Sequence, residues 1–153
     1  MEKIDFKKTD SDDVDFRDLV HYLDAELTRI YGEKQTFYSQ FNALNHIHHV
    51  IVGYADGIAI GCGAIKKFSE ESTEIKRMYV TPAFRNKGVA YAILKSLEVW
   101  AKSLDYSSCV LETGHLQPDA IHLYKKAGYS IIPNYGQYQD DEGSICMLKN
   151  IVD

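Results

Sequence analysis

The stretch from Met78 to Ala90 limits the fold more than any other part of the sequence. It reads Met-Tyr-Val-Thr-Pro-Ala-Phe-Arg-Asn-Lys-Gly-Val-Ala. A strand-like run stops at Pro82, a loop carries the cations Arg85 and Lys87, and Gly88 opens onto a helix. In that helix Ala90, Ile93, Leu94, Leu97, Trp100 and Leu104 recur at the spacing of one apolar face. A helix N-terminus presents N–H groups without partners and a partial positive charge. Small residues there let a phosphate approach the backbone closely, so the parts together make an anion cradle. By itself Arg-x-x-Gly-x-Ala is common at ordinary loop-to-helix junctions. Its weight comes from its place, after a strand that begins Glu74-Ile75-Lys76-Arg77 and before a helix of about four turns.

The rest of the chain frames that unit. Residues 3–7 alternate as a short strand. Thr9, Asp10 and Ser11 offer capping oxygens for a helix whose apolar face is Phe16, Leu19, Val20, Leu23, Leu27 and Ile30. Residues 33–45, with Phe37, Tyr38 and Phe41, read as a short helix or an aromatic loop. Residues 49–54 and 58–66 form a hairpin around Ala55-Asp56-Gly57. Gly61 and Gly63 in its second strand mark a bulge or a close backbone approach. Residues 73–80 extend the antiparallel set. A strand over 108–112, a helix over 118–126 stopped at Gly128, and strands over 129–132 and 144–149 complete the order. Three antiparallel strands followed by strand–helix alternation predict a mixed α/β (α+β) architecture, with one sheet carrying helices on both faces.

Composition is permissive rather than diagnostic. The 153 residues suit one domain over 1–153; 45% are hydrophobic and 25% charged, as in folded globular proteins. The net charge of -5 disfavours nucleic acid as a partner. No apolar run approaches the roughly 18 residues of a membrane helix, and no secretory leader is visible, so a cytoplasmic protein with no membrane partner is expected. Cys62, Cys109 and Cys146 are odd in number and scattered, which points to buried thiols in a reducing compartment. His46, His48 and His49 cluster without an acid or thiol at ligand spacing, so no metal site is expected.

Two segments together carry a family resemblance. Glu-Ile-x-x-Met-Tyr-Val-x-Pro-x-x-Arg-x-x-Gly-x-Ala over 74–90 resembles the cofactor motif of the GNAT superfamily of N-acetyltransferases. Ala120-Ile121-His122-Leu123-Tyr124-Lys125-Lys126-Ala127-Gly128-Tyr129 resembles its second signature, in the expected order and separation. The element order matches over essentially the whole chain. The resemblance implies a mostly antiparallel sheet of about seven strands, splayed between residues 73–80 and 108–113. It implies acetyl-CoA (coenzyme A) in that splay, its pantetheine arm along the backbone of Met78, Tyr79 and Val80. The pyrophosphate would meet the N–H groups of Arg85, Asn86, Lys87, Gly88, Val89 and Ala90. Ala90 stands where the family has a third glycine, and Gln117 where relatives often have Asn, so Gln117 is a secondary candidate for the cofactor. Relatives often form homodimers.

The implied reaction moves an acetyl group from the thioester to a primary amine. It needs a base for the amine, a donor for the tetrahedral oxyanion and an acid for the departing thiolate. By the resemblance, Glu74 stands for the base, the backbone N–H of Met78 for the oxyanion donor, and Tyr124 for the acid. A phenol of pKa about 10 suits a thiolate acceptor. Structural readings compete: Glu74 as a strand residue facing solvent, Tyr124 as a core aromatic, His115 as a loop residue. Tyr31, Tyr38, Tyr135 and Tyr138 are candidate acceptor contacts, against a loop simply folded onto the core. The acceptor is a small-molecule amine, an amino acid, or a peptide or protein N-terminus; a silent acyl-CoA sensor is the non-enzymatic alternative.

Overall fold

A computed structural model describes residues 3–32 and 46–152. The expected element over residues 33–45, with Phe37, Tyr38 and Phe41, lies outside the described residues. Strands β1 (Ile4–Thr9), β2 (His49–Ala55), β3 (Ile58–Lys67), β4 (Ser72–Val80), β5 (Ser108–Gly114), β6 (Ser130–Ile132) and β7 (Ser144–Asn150) form one sheet. Helices α1 (Val14–Tyr31), α2 (Val89–Ser103) and α3 (Pro118–Lys126) are interleaved with them. The strand order is β1-β2-β3-β4-β5-β7-β6. All neighbours are antiparallel except β4 and β5, which the α2 crossover makes parallel. The mixed, seven-stranded fold expected from the element order is the one observed. No described helix is long and apolar enough to cross a membrane.

The period of two along each strand sorts side chains onto two cores. On one face Phe16, Leu19 and Leu23 of α1 cover Val50, Val52, Cys62, Ala64 and Tyr79. On the other, Ile93, Leu94, Leu97 and Ala101 of α2 cover Ile51, Ile65, Ile75, Leu111 and Met147. Asp13 caps α1, accepting from the Phe16 N–H at 3.1 Å. Helix α2 is tied to the far side of the sheet through the buried Glu98, which accepts from Tyr129 Oη at 2.9 Å and from Lys149 Nζ at 2.8 Å. The three cysteines are buried and unpaired with one another.

Two departures from regular pairing shape the middle of the sheet. First, β4 and β5 pair only at Ser72–Ser108, Thr73–Cys109 and Glu74–Val110, and then diverge. Second, Ala64 faces Lys76 while Cys62 faces Tyr79, so Gly63 opposes both Arg77 and Met78. This is a β-bulge, and Arg77 takes φ of 60° to make it. The extra residue resets the alternation: Tyr79 joins the α1 core while Met78 packs under α2. Gly63 is required there, because a Cβ would lie 2.5 Å from Met78 Sδ and 2.9 Å from Leu97 Cδ1. Both readings of the glycine pair, bulge and close approach, therefore hold at Gly63.

Candidate active site

Between the diverging halves of β4 and β5 lies a cavity of about 120 Å³. Its floor comes from β4 (residues 74–78) and from Glu112 and Thr113 of β5. Its walls come from Leu23 and Leu27 of α1, from Gln117, Ala120 and Tyr124 around α3, and from Tyr138. The strand pattern explains which groups meet. Glu74 and Lys76 are two apart on β4, as are Val110 and Glu112 on β5, and Glu74 is level with Val110. Glu112 is thus level with Lys76 across the gap, on the face that carries α1.

Past the end of β4, the loop expected to cradle a phosphate leads into α2. Pro82–Phe84 form a single 3-10 turn, Asn86 takes φ of 63°, and Gly88 caps α2 at φ of 83°. The first bond within the helix runs from the Ala92 N–H to the Gly88 carbonyl at 3.0 Å. The N–H groups that precede it, those of Val89, Ala90 and Tyr91, have no acceptor inside the helix and stand ready for an anion. The Arg85 side chain points elsewhere: Nε donates to the Val80 carbonyl and a terminal nitrogen to Glu26 of α1, both at 2.8 Å. It braces the loop between β4 and α1. Its backbone N–H donates to the Pro82 carbonyl at 3.3 Å. Lys87 Nζ lies over the Phe84 ring at 5.2 Å.

Tyr124 lies on the cleft wall, 6% exposed, and among the described residues no hydrogen bond reaches its hydroxyl. Burial, then the charge of Glu112, pushes its phenol above the ordinary tyrosine value. Gln117 is occupied on its carbonyl oxygen, which accepts from Tyr31 Oη at 3.1 Å and from the Gly114 N–H at 3.2 Å. Tyr31 therefore joins the end of α1 to the start of α3. Tyr135 and Tyr138 belong to a folded loop, held by Asn134, whose side-chain nitrogen donates to the carbonyls of Tyr138, Asp141 and Ser144. Tyr138 is buried and lines the cleft, and Tyr135 Oη donates to Glu74 Oε2 at 2.7 Å. Tyr38 lies outside the described residues. His115 is bound to the same loop through the Gly143 carbonyl.

Glu74 is buried, so the reading of it as a residue facing solvent does not hold. Its second oxygen lies 3.5 Å from Lys76 Nζ. Sequence reasoning passed over Glu112. Burial raises its carboxyl to about 7; the neighbouring Ser144 and the charge of Lys76 work against the rise, while Asp141 and Glu74 add to it. One signal was legible: Glu112 is the charged residue of the strand Ser-Cys-Val-Leu-Glu-Thr-Gly, where every neighbour is apolar or small. Apart from the cleft, Asp10 and Asp12 come within 4.8 Å of His46, a grouping that linear spacing does not reveal. Those atoms already serve the loop, Asp10 Oδ1 accepting from the Asp12 N–H and His46 Nδ1 meeting Ser11 Oγ.

Residues 16–129 match the sequence profile of the Acetyltransferase (GNAT) family. The IAA acetyltransferase of Azospirillum brasilense is 35% identical over 100 residues, an alignment spanning 65% of each chain, so this chain covers just under two thirds of that relative's length. A Klebsiella pneumoniae structure assigned as an acyl-CoA N-acyltransferase superposes with a TM-score of 0.81 at 29% identity, over 97% of this chain and 98% of its own. A GNAT acetyltransferase of Elizabethkingia anophelis, solved with acetyl-CoA bound, superposes with a TM-score of 0.71 at 19% identity, over 98% of this chain and 99% of its own.

Proposed function

The chain belongs to the Acetyltransferase (GNAT) family, and from that premise we propose that it is an acetyltransferase that moves the acetyl group of acetyl-CoA to a primary amine of a small molecule. The observation that carries the reading is the alignment of three parts along one cleft. The bulged strand that forms its floor leads into a helix N-terminus with open N–H groups, and a buried phenol with no hydrogen bond among the described residues stands on its wall. In this reading the N–H groups of residues 86–90 take the pyrophosphate. The pantetheine arm runs along the free edge of β4 at Met78, Tyr79 and Val80, where β5 has turned away.

The thioester carbonyl then lies beside the bulge, and the Met78 N–H serves as the oxyanion donor. Tyr124 supplies a proton to the departing sulfur. A phenol raised above its usual value stays protonated at neutral pH and still matches a thiolate leaving group. The amine approaches from the α1 face, past Leu23, Leu27 and Tyr138. A cleft of this size, closed by the tethered loop, supports a small acceptor over a protein N-terminus. The three unpaired thiols support work in a reducing compartment such as the cytoplasm. The cofactor supplies an activated acyl group, so the reaction needs no metal for activation.

The test is release of free CoA from acetyl-CoA over a panel of free amino acids and simple primary amines. Turnover of at least one small amine is expected, and Tyr124→Phe should lower kcat far more than it weakens acetyl-CoA binding. Binding of acetyl-CoA without turnover on any amine would favour a cofactor sensor instead.

A further inference from the structure

Two carboxylates line the acceptor side of the cleft, Glu74 and Glu112, and they are not equivalent. Both oxygens of Glu74 are engaged: Oε2 accepts from Tyr135 Oη at 2.7 Å and Oε1 lies 3.5 Å from Lys76 Nζ. Glu74 also sits where β4 and β5 are still paired, at the closed end of the splay. Its contacts tie the 133–143 loop to β4 and aim the Lys76 ammonium. Glu112 sits two residues further along, where the strands have parted, and it is only partly buried.

We infer that Glu112 of β5, rather than Glu74, takes the proton from the acceptor amine, and that Glu74 is a positioning residue which holds Lys76 and Tyr135 around it. This rests on the acetyltransferase reading of the same cleft. The groups that face Glu112 come from every surrounding element. Glu74 and Lys76 stand on β4, Tyr124 on α3 and Tyr31 at the end of α1. Tyr138, Asp141 and Ser144 stand on the loop and the start of β7, and Cys146 of β7 is paired directly with Glu112. Burial and two nearby acids raise the carboxyl to about 7, while Lys76 and Ser144 stop it from rising further. A base poised there is about half ionised at neutral pH and still binds a proton well.

The proton balance also assigns both side chains. An ammonium carries three protons on nitrogen and the amide product carries one. Glu112 takes the first, the nitrogen lone pair forms the N–C bond, and the C–S bond breaks with its electrons on sulfur. Tyr124 gives its proton to that sulfur and recovers one from the nitrogen. Glu112 returns its proton to solvent between turnovers. The charge of Glu112 reaches the Tyr124 phenol and helps to keep it protonated, which links the two ends of the relay.

The test compares pH–rate profiles of the unaltered protein, Glu112→Gln and Glu74→Gln, using whichever amine of the panel is turned over. The unaltered kcat/KM should rise through about pH 7, from the ionisation of Glu112. Glu112→Gln should lose that rise and about 100-fold in kcat, while its acetyl-CoA-induced rise in Tm persists. Glu74→Gln should be slower but keep the inflection. A rise that survives in Glu112→Gln, or disappears in Glu74→Gln, overturns the assignment. Infrared titration of the unaltered protein is a second readout that needs no folded variant. A neutral carboxyl band should fade near pH 7, and carboxyls all ionised by about pH 5 would overturn it. A protein that binds acetyl-CoA yet acetylates no amine overturns the proposed function and this role together. Turnover with an unmoved profile in Glu112→Gln overturns this role alone.

Discussion

Glu112 and Tyr124 are alike in being polar side chains placed where water is scarce, and each is set by what surrounds it. For Glu112 the consequence reaches stability. Its carboxyl is raised from 4.5 unfolded to about 7 folded. The folded state therefore binds a proton that the unfolded chain has released. That contribution is fully present below about pH 4.5 and is lost as pH climbs through about 7, amounting to about 3 kcal/mol. Glu112→Gln removes the titration. The stability of the variant relative to the unaltered protein should thus grow between pH 5 and pH 8, by urea melts at each pH. A constant difference would mean that Glu112 has an ordinary carboxylate value. Arg85 teaches the reverse lesson. Its charge suggested a phosphate ligand, but its guanidinium is spent on Glu26 and on the Val80 carbonyl, so it shapes the loop.

At the scale of elements, the site depends on how closely α2 lies on β3. Gly63 and Gly61 admit Ile93, Leu97 and Met78 where any Cβ would intrude. Gly63→Ala places a carbon 2.5 Å from Met78 Sδ, 2.9 Å from Leu97 and 3.0 Å from Ile93. Met78 can swing away, but the two helix side chains are packed, so α2 must shift. A loss of about 1–3 kcal/mol is expected. Because α2 carries the open N–H groups, acetyl-CoA affinity should fall with it, read by calorimetry beside urea melts. Stability lost with affinity unchanged would separate the packing of α2 from the cradle. The bulge opposite Gly63 works on the same scale: one extra residue at Arg77 decides that Met78 and Lys76 face opposite sides.

The whole molecule is two half-sheets hinged on three residue pairs, Ser72–Ser108, Thr73–Cys109 and Glu74–Val110. Beyond the hinge the halves are joined at the periphery. Tyr31 reaches Gln117, Tyr135 reaches Glu74, and Glu98 bonds Tyr129 and Lys149. A ligand that fills the gap and bonds β4 should act as the missing strand. Acetyl-CoA at 100 times its Kd should add about 2.7 kcal/mol. For a domain of this length that is a rise in Tm of about 5–10 °C. Coenzyme A should give most of it, since the pyrophosphate and pantetheine make the contacts. No shift with either would remove the cofactor site from this cleft.

The sequence alone determined the element order, the mixed sheet and the loop-to-helix junction proposed to cradle the phosphate. Those rest on short-range patterns: a period of two in the strands, a period near 3.6 in α1 and α2, and a glycine at the start of a helix. Gly63 could be singled out because its place follows from size, and Tyr124 because of its motif position, which the structure puts on the cleft wall. The division of labour between Glu74 and Glu112 could not be read that way. The two acids lie on strands separated by a helix, and only the pairing of Glu74 with Val110 puts Glu112 beyond the point of splay. The groups around them, Tyr135, Lys76, Ser144 and Asp141, come from β4, a loop and the start of β7. Motif and period report what a residue can be, while its burial and its charged neighbours decide what it does, and those are set by contacts distant in the chain.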